Sequence, residues 1–157
     1  ILTEDDARKL SREGSIQREG AKGVLDRAVE IREAIYRVFS ATVSKKPVSD
    51  WDLVILNREL REALTRLRLY PESEGYTLDF GWGGGTLDQM LWPIARAASD
   101  LLTSEELDQV SRCASDDCLW LFVDTSKNRS RRWCDMKDCG NRNKARRFYE
   151  RKRGIEL

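Results

Sequence analysis

Cys113-Ala114-Ser115-Asp116-Asp117-Cys118 and, fifteen residues further on, Cys134-Asp135-Met136-Lys137-Asp138-Cys139 form two C-x4-C pairs that hold every cysteine of the chain. With no histidine among its 157 residues, any transition-metal site here is all-thiolate and has one obvious location. Four-thiolate tetrahedral zinc is the structural kind, with no open position for a catalytic water. The same residues could instead close two disulfides or stay as unpaired thiols. Iron also accepts four thiolates, although it more often uses C-x2-C spacing. Tight pairs beside basic residues, in a chain without secretory cues, favour a metal in a reducing compartment.

Outward from the cysteines, Leu119-Trp120-Leu121-Phe122-Val123 reads as a short apolar strand. The turn-prone stretch from Asp124 to Ser130 leads to a second strand through Arg132-Trp133, so the intervening residues are expected to fold back as a hairpin and return Cys134 to Cys118. Asp138 is the expected N-cap of a helix starting near Cys139 or Gly140 and running to about Lys152. On its first turn, unpaired amides and the positive helix end favour a thiolate at Cys139. Knuckle, hairpin and helix make a treble-clef-like zinc fold. A segment this small has little core, so the metal should supply most of its stability.

Charge is divided unevenly along the chain. Residues 1–110 carry 15 Lys/Arg against 20 Asp/Glu and residues 111–157 carry 13 against 7, within a whole-chain net charge of +1. Such asymmetry points to an anionic partner for the basic end. On a helical wheel, Arg142, Arg146 and Arg153 fall on one side of the last helix and Lys144, Arg147 and Arg151 on the other. Ala145, Phe148 and Tyr149 lie between them and are expected to pack on the hairpin aromatics. Lys and Arg supply phosphate contacts through counterion release, and Asn141, Arg142 and Asn143 stand where base edges would be read. The bland alternative is a solubilising tail, or a patch facing the acidic part.

Upstream, periodicity predicts a mainly helical region. Thr3 with Asp6 caps a helix over Glu4–Arg12 that stops at Gly14. Val24, Ala28, Ile31, Ile35 and Val38 form one stripe of a helix within about 16–42. Ser49 with Asp52 caps a third helix with Leu53, Leu56, Leu60 and Leu64 inward. Alternation at Tyr76, Leu78 and Phe80 predicts a β-hairpin packed on these helices. Thr86 with Gln89 opens a fourth helix through Leu102, with Met90, Leu91, Ile94, Ala98 and Leu101 inward and a kink at Pro93. Thr103 with Glu106 starts a last short turn. The stripes read as core, with a ligand pocket as the alternative. Gly81-Trp82-Gly83-Gly84-Gly85 lacks the Gly-Lys-Ser/Thr ending of a phosphate loop and reads as a hairpin-to-helix connection. No run of about eighteen apolar residues is present, so no membrane-spanning helix is expected.

Trp133-Cys134-Asp135-Met136-Lys137-Asp138-Cys139-Gly140-Asn141-Arg142-Asn143-Lys144-Ala145-Arg146-Arg147, preceded by Phe122-Val123-Asp124-Thr125-Ser126 and Cys113-x4-Cys118, resembles the CGNR zinc-finger family. That family takes its name from the tetrapeptide that here is Cys139-Gly140-Asn141-Arg142. The resemblance is specific over residues 110–152. Residues 1–109 look, more loosely, like the ABATE domain that usually precedes this finger, a predicted sensor of stress-related signals in bacterial transcription regulators. The family's usual upstream segment has no counterpart here and the chain opens on Ile1, so it is expected to begin partway through its first domain.

The resemblance implies an α+β chain: a mainly helical domain with a β-hairpin over 1–109, then a zinc finger with a basic helix over 110–157. It implies structural Zn2+ on Cys113, Cys118, Cys134 and Cys139, and duplex DNA as partner. Asn141, Arg142, Asn143, Lys144, Arg146, Arg147 and Arg151 are the expected contacts, with Asn141 and Arg142 either touching DNA or bracing the knuckle. Gly140 allows close approach at the helix start.

The leading expectation is a cytoplasmic bacterial transcription regulator whose N-terminal domain senses a signal, with a small-molecule effector open, or forms a homodimer. An RNA-binding accessory protein is a second class, with Tyr149 and Trp120 stacking on unpaired bases if exposed. A zinc module for protein contact through Trp120 and Trp133 is another. An enzyme, as a nuclease, is disfavoured because such sites rely on histidine and no acidic pair sits within the basic helix.

Overall fold

Thr3 opens the first helix through a reciprocal cap: its hydroxyl accepts from the Asp6 amide and the Asp6 carboxylate accepts from the Thr3 amide. In the computed structural model, which describes residues 3–81 and 86–154, that helix (α1) spans Glu4–Ile16. It continues through Gly14, where a stop was expected. The chain divides into two units, residues 1–38 with 48–104, and residues 39–47 with 105–157.

In the first unit, α2 (Arg18–Val43) and α3 (Asp50–Arg66) precede a hairpin of β1 (Arg68–Glu72) and β2 (Gly75–Asp79). A 3-10 turn, Leu87–Met90, leads into α4 (Leu91–Leu102). The core gathers Ile31, Ala34 and Val38 from α2, Ile55, Leu56 and Ala63 from α3, and Leu91, Trp92 and Ala95 from α4. Val24, Ala28 and Ile35 pack against it, so the α2 stripe is the one its spacing predicted.

The inner face of α3 differs from expectation. Asp52, Ile55, Leu56, Glu59 and Ala63 point inward, while Leu53 and Leu64 are exposed. Two acids occupy the buried row because α2 supplies cations: Arg37 grips Asp52 at 2.6 and 2.9 Å, and Arg27 meets Glu59 at 2.7 Å, with Arg58 at 2.9 Å. Buried carboxylates are tolerable only with such partners. Ser49 makes no side-chain cap bond: the Asp52 amide donates to the Ser49 carbonyl at 3.1 Å, and the Asp52 carboxylate, which would complete a capping box, is held by Arg37.

Two further expectations are corrected in this unit. The hairpin pairs in the register Leu69↔Leu78 and Pro71↔Tyr76, but Leu69, Tyr76 and Leu78 stand in solvent; Phe80, beyond the strand, reaches the core and meets Trp92 at 6.1 Å. Pro93 lies in the first turn of α4, where a missing N–H costs nothing, so it marks a helix start. Ile94 is exposed, and Trp92 and Ala95 fill the inner row. Of the glycine-rich connection, residues 82–85 lie outside the described residues.

The second unit begins with a 3-10 turn, Glu105–Gln109, then β3 (Val110–Arg112) and β4 (Leu121–Val123), paired antiparallel as Val110↔Val123, Ser111↔Phe122 and Arg112↔Leu121. A hairpin was expected between the two cysteine pairs, with Arg132-Trp133 as its second strand. The hairpin instead encloses the first pair, and Arg132 contributes only a carbonyl that accepts from the Ala114 amide at 2.8 Å. A π-turn, Met136–Gly140, runs directly into α5 (Asn141–Lys152). The architecture is α+β, a helical unit with one hairpin followed by a cysteine-built unit of knuckle, hairpin and helix. No described helix is long and apolar enough to cross a membrane.

Candidate metal centre and nucleic-acid interface

The first knuckle sits at the tip of the β3–β4 hairpin. The Cys113 amide donates to the Trp120 carbonyl at 2.9 Å and the Cys118 amide to the Ser115 carbonyl at 3.0 Å, which curls the four intervening residues. Asp124 then directs the chain back: its amide donates to the Gln109 carbonyl, and its carboxylate accepts from the Ser126 and Arg131 amides, both at 2.9 Å. Those bonds hold the Asp124 carboxyl below its ordinary value, the Ser126 contact first among them. Arg131, stacked on Phe122 at 4.7 Å, donates to the carbonyls of Trp133 and Cys134 and so positions the second pair.

The second knuckle is capped by Asp135. Its carboxylate accepts from the Asp138 amide at 2.8 Å, so the capping role expected at Asp138 falls three residues earlier. The Gly140 amide donates to the Asp135 carbonyl at 3.0 Å, and a Cβ at Gly140 would run into the Met136 side chain.

The four thiols converge. All four sulfurs lie within 4.8 Å of one another, and Cys134 Sγ is 3.7 Å from both Cys118 Sγ and Cys139 Sγ. A disulfide requires about 2.05 Å. Four sulfurs each about 2.3 Å from one tetrahedral zinc stand about 3.8 Å apart, so the spacing fits that ion. Cys113 and Cys139 are buried and the other two half-buried, and an ion bound by all four sulfurs has its tetrahedral positions filled. Burial opposes ionisation of Cys113, yet the amides of Cys134 and Ser115 bring its thiol down to about 7. Burial and the neighbouring thiols push Cys134 up to about 12 and raise Cys139. A dication held by four thiolates must therefore displace protons that the metal-free cluster keeps.

The comparisons with known proteins add to this geometry. A family model named ABATE, "Putative stress-induced transcription regulator", matches residues 2–105, and one named CGNR zinc finger matches residues 109–152. The chain belongs to the ABATE family. No curated protein matches it. In this ABATE–CGNR protein the four cysteines are therefore a zinc-finger site, with Zn2+ as the cofactor they suit.

The basic helix of the ABATE–CGNR protein is divided by function of position. Asn143, expected to contact nucleic acid, is only 5 % exposed and its amide is spent inside the finger. Its Nδ2 donates to Ser115 Oγ at 2.7 Å and to the Cys139 carbonyl at 2.9 Å, while its Oδ1 accepts from Arg146 at 2.9 Å. Arg146 also pairs with Asp116 at 2.7 Å, and Arg142 donates to Cys139 Sγ at 3.2 Å. Asn143 and Arg146 thus fasten α5 to the first knuckle, and Arg142 contacts the second. Lys144, Arg147 and Arg151 lie on the other side, exposed and without an ion pair to any described residue; Asn141 is exposed at the helix start.

Phe148 and Tyr149 do not pack on the hairpin. They stack edge-to-face on each other at 5.7 Å and remain open to solvent, as does Trp120. The sequence assigned no bonding partner to Ser115, Asp116 or Asp135, and it marked Asp124 only as the start of a turn-prone stretch. Asp124 between Val123 and Ser126, and Ser115 between paired cysteines, are turn-forming residue types, and that was the one signal available for them.

Proposed function

We propose that this ABATE–CGNR protein is a bacterial, cytoplasmic transcription regulator that docks α5 on duplex DNA, with the N-terminal unit receiving a signal or pairing two copies. The observation that carries the reading is the row Lys144, Arg147 and Arg151: three cations at i, i+3 and i+7 on one exposed side of a helix whose Arg146 and Arg142 face Asp116 and Asp117 and whose Lys152 lies over the Phe148 ring. Phosphate neutralisation accounts for such a row, and Asn141 stands beside it for a groove contact. A single module buries only roughly 600–1,000 Å² of protein surface on nucleic acid, so a second copy is expected to share the site.

The N-terminal unit offers a seat for an effector. An apolar cavity of about 380 Å3 opens between α1 and α2, lined among others by Leu10, Gly14, Val24, Leu25 and Ala28. Its lining suits an apolar molecule. No catalysis is assigned, and magnesium-dependent cleavage of plasmid DNA by pure protein would overturn that.

Anisotropy titration of a DNA duplex across salt tests the reading. Three phosphate contacts predict a slope of log K on log salt of about −3, falling by about 1 in Arg147→Ala. Binding indifferent to ionic strength would contradict it. A second reading, single-stranded RNA, is favoured by Trp120 at 72 % and Tyr149 at 60 % exposure, both free to stack on unpaired bases. Competition between duplex DNA and single-stranded RNA separates the two, since stacking predicts that the single strand wins and that Trp120→Ala abolishes its advantage.

A further inference from the structure

The hollow beside the second knuckle, about 650 Å3, is lined by three carboxylates, Asp117, Asp135 and Asp138, together with Cys118, Cys134 and Cys139. One cation lines it: Arg142. A zinc ion on four thiolates carries two net negative charges, and here it would face three more. Uncompensated, that concentration of charge at a half-buried site weakens the metal's hold.

Arg142 is placed to offset it. Its Nη2 donates to Cys139 Sγ at 3.2 Å, and its Nε lies 3.6 Å from Asp117 Oδ2, with Asp138 4.0 Å from Nη1. Cys139 is only 2 % exposed, so this guanidinium is the polar group that shields its sulfur on that side. The geometry follows from spacing: Arg142 is three residues after Cys139 on a continuous helical path from the π-turn into α5, which stacks the two side chains. Asp117 is itself fixed by the Ser115 hydroxyl at 2.7 Å, the hydroxyl that also accepts from Asn143. Ser115 thus links Asn143 of the helix to Asp117, whose carboxylate lies beside the guanidinium.

We propose that Arg142 is a positioning residue of the zinc centre, donating to metal-bound Cys139 and held in place by Asp117, and that it is not a reader of nucleic acid. A planar fork can serve a sulfur and a carboxylate at once, which the single ammonium of lysine does poorly. Outer-shell partners of this kind typically change metal affinity by about 10–100-fold.

Chelator competition on the full chain, with cobalt(II) as a spectroscopic substitute for zinc, tests the assignment. Arg142→Ala should weaken zinc binding about tenfold or more and shift the sulfur-to-cobalt charge-transfer band to lower energy, because the sulfur regains donor strength. The tetrahedral ligand-field bands should persist, showing that all four sulfurs still bind. Arg142→Lys should lie between Ala and the parent, and it carries the test if Arg142→Ala does not fold. Arg147→Ala should leave affinity and band unchanged. Zinc affinity within twofold of the parent in both Arg142 variants, with an unmoved cobalt band, would overturn the proposal.

Discussion

The two units of this protein are held together by different physics. In the N-terminal unit, α2, α3 and α4 bury a continuous apolar cluster from Ile31 to Ala95, and even its buried acids are satisfied by arginines. Buried residues of the second unit are mostly sulfur, polar or charged: Cys113, Cys139, Ser115, Asp124 and Asn143, with Phe39 and Val110 as its large apolar members. Its helix α5 buries one side chain, Asn143. A unit that removes so little apolar surface from water lacks the usual driving force, and four sulfurs around one ion replace it. The difference is that one unit should be sensitive to cavities and the other to metal.

Removing a ligand gives the largest expected effect. Cys139→Ala should unfold the second unit, because zinc contributes on the order of 10 kcal/mol to small finger folds, while the helical signal of α2–α4 survives; far-UV circular dichroism and limited proteolysis would show which residues are lost. Ile31→Ala should do the reverse. It leaves a cavity costing about 2–5 kcal/mol in the first unit, and denaturant melts should fall while zinc affinity is unchanged. Loss of zinc binding in that variant would break the contrast.

Glu59 gives a smaller and pH-dependent effect. Burial pushes its carboxyl up, but Arg27 and Arg58 outweigh this and its value in the fold lies below the ordinary one. As the folded value is the lower, the unfolded chain takes up the proton first. The contribution is therefore present above about pH 4.3, the unfolded value, and is lost as pH falls through the folded value. Glu59→Gln should cost about 1–3 kcal/mol at neutral pH, less than a fully buried pair because both arginines are partly solvated. Its stability should also lose that part of the acid dependence, as urea melts at pH 7 and pH 4 would reveal.

What could be read in advance was what is local. The Thr3–Asp6 cap lies within one turn, the α2 stripe repeats along one helix, and the two cysteine pairs are marked by their own short spacing, and each appears as its pattern implies. Long-range partners escaped. The inner row of α3 contains Asp52 and Glu59, which look like surface residues until Arg37 and Arg27 arrive from α2. Strand β4 pairs with β3, ahead of the first cysteine, because only Leu121–Val123 of the longer apolar run is paired. In the basic helix, a wheel separates Arg142 and Arg146 from Lys144, Arg147 and Arg151, but it could not show that Asp116 and Asp117 engage the first set. Nor could it show Asn143 turning inward to Ser115.

The central claim is that one ion, bound by sulfur alone, holds the second unit together. Native mass spectrometry of the chain as purified, without added reductant, followed by alkylation with and without a chelator, tests it most directly. The account predicts one zinc per chain and four cysteines that resist alkylation until the metal is withdrawn. A metal-free chain with freely alkylated thiols, or one with two disulfides, would contradict it.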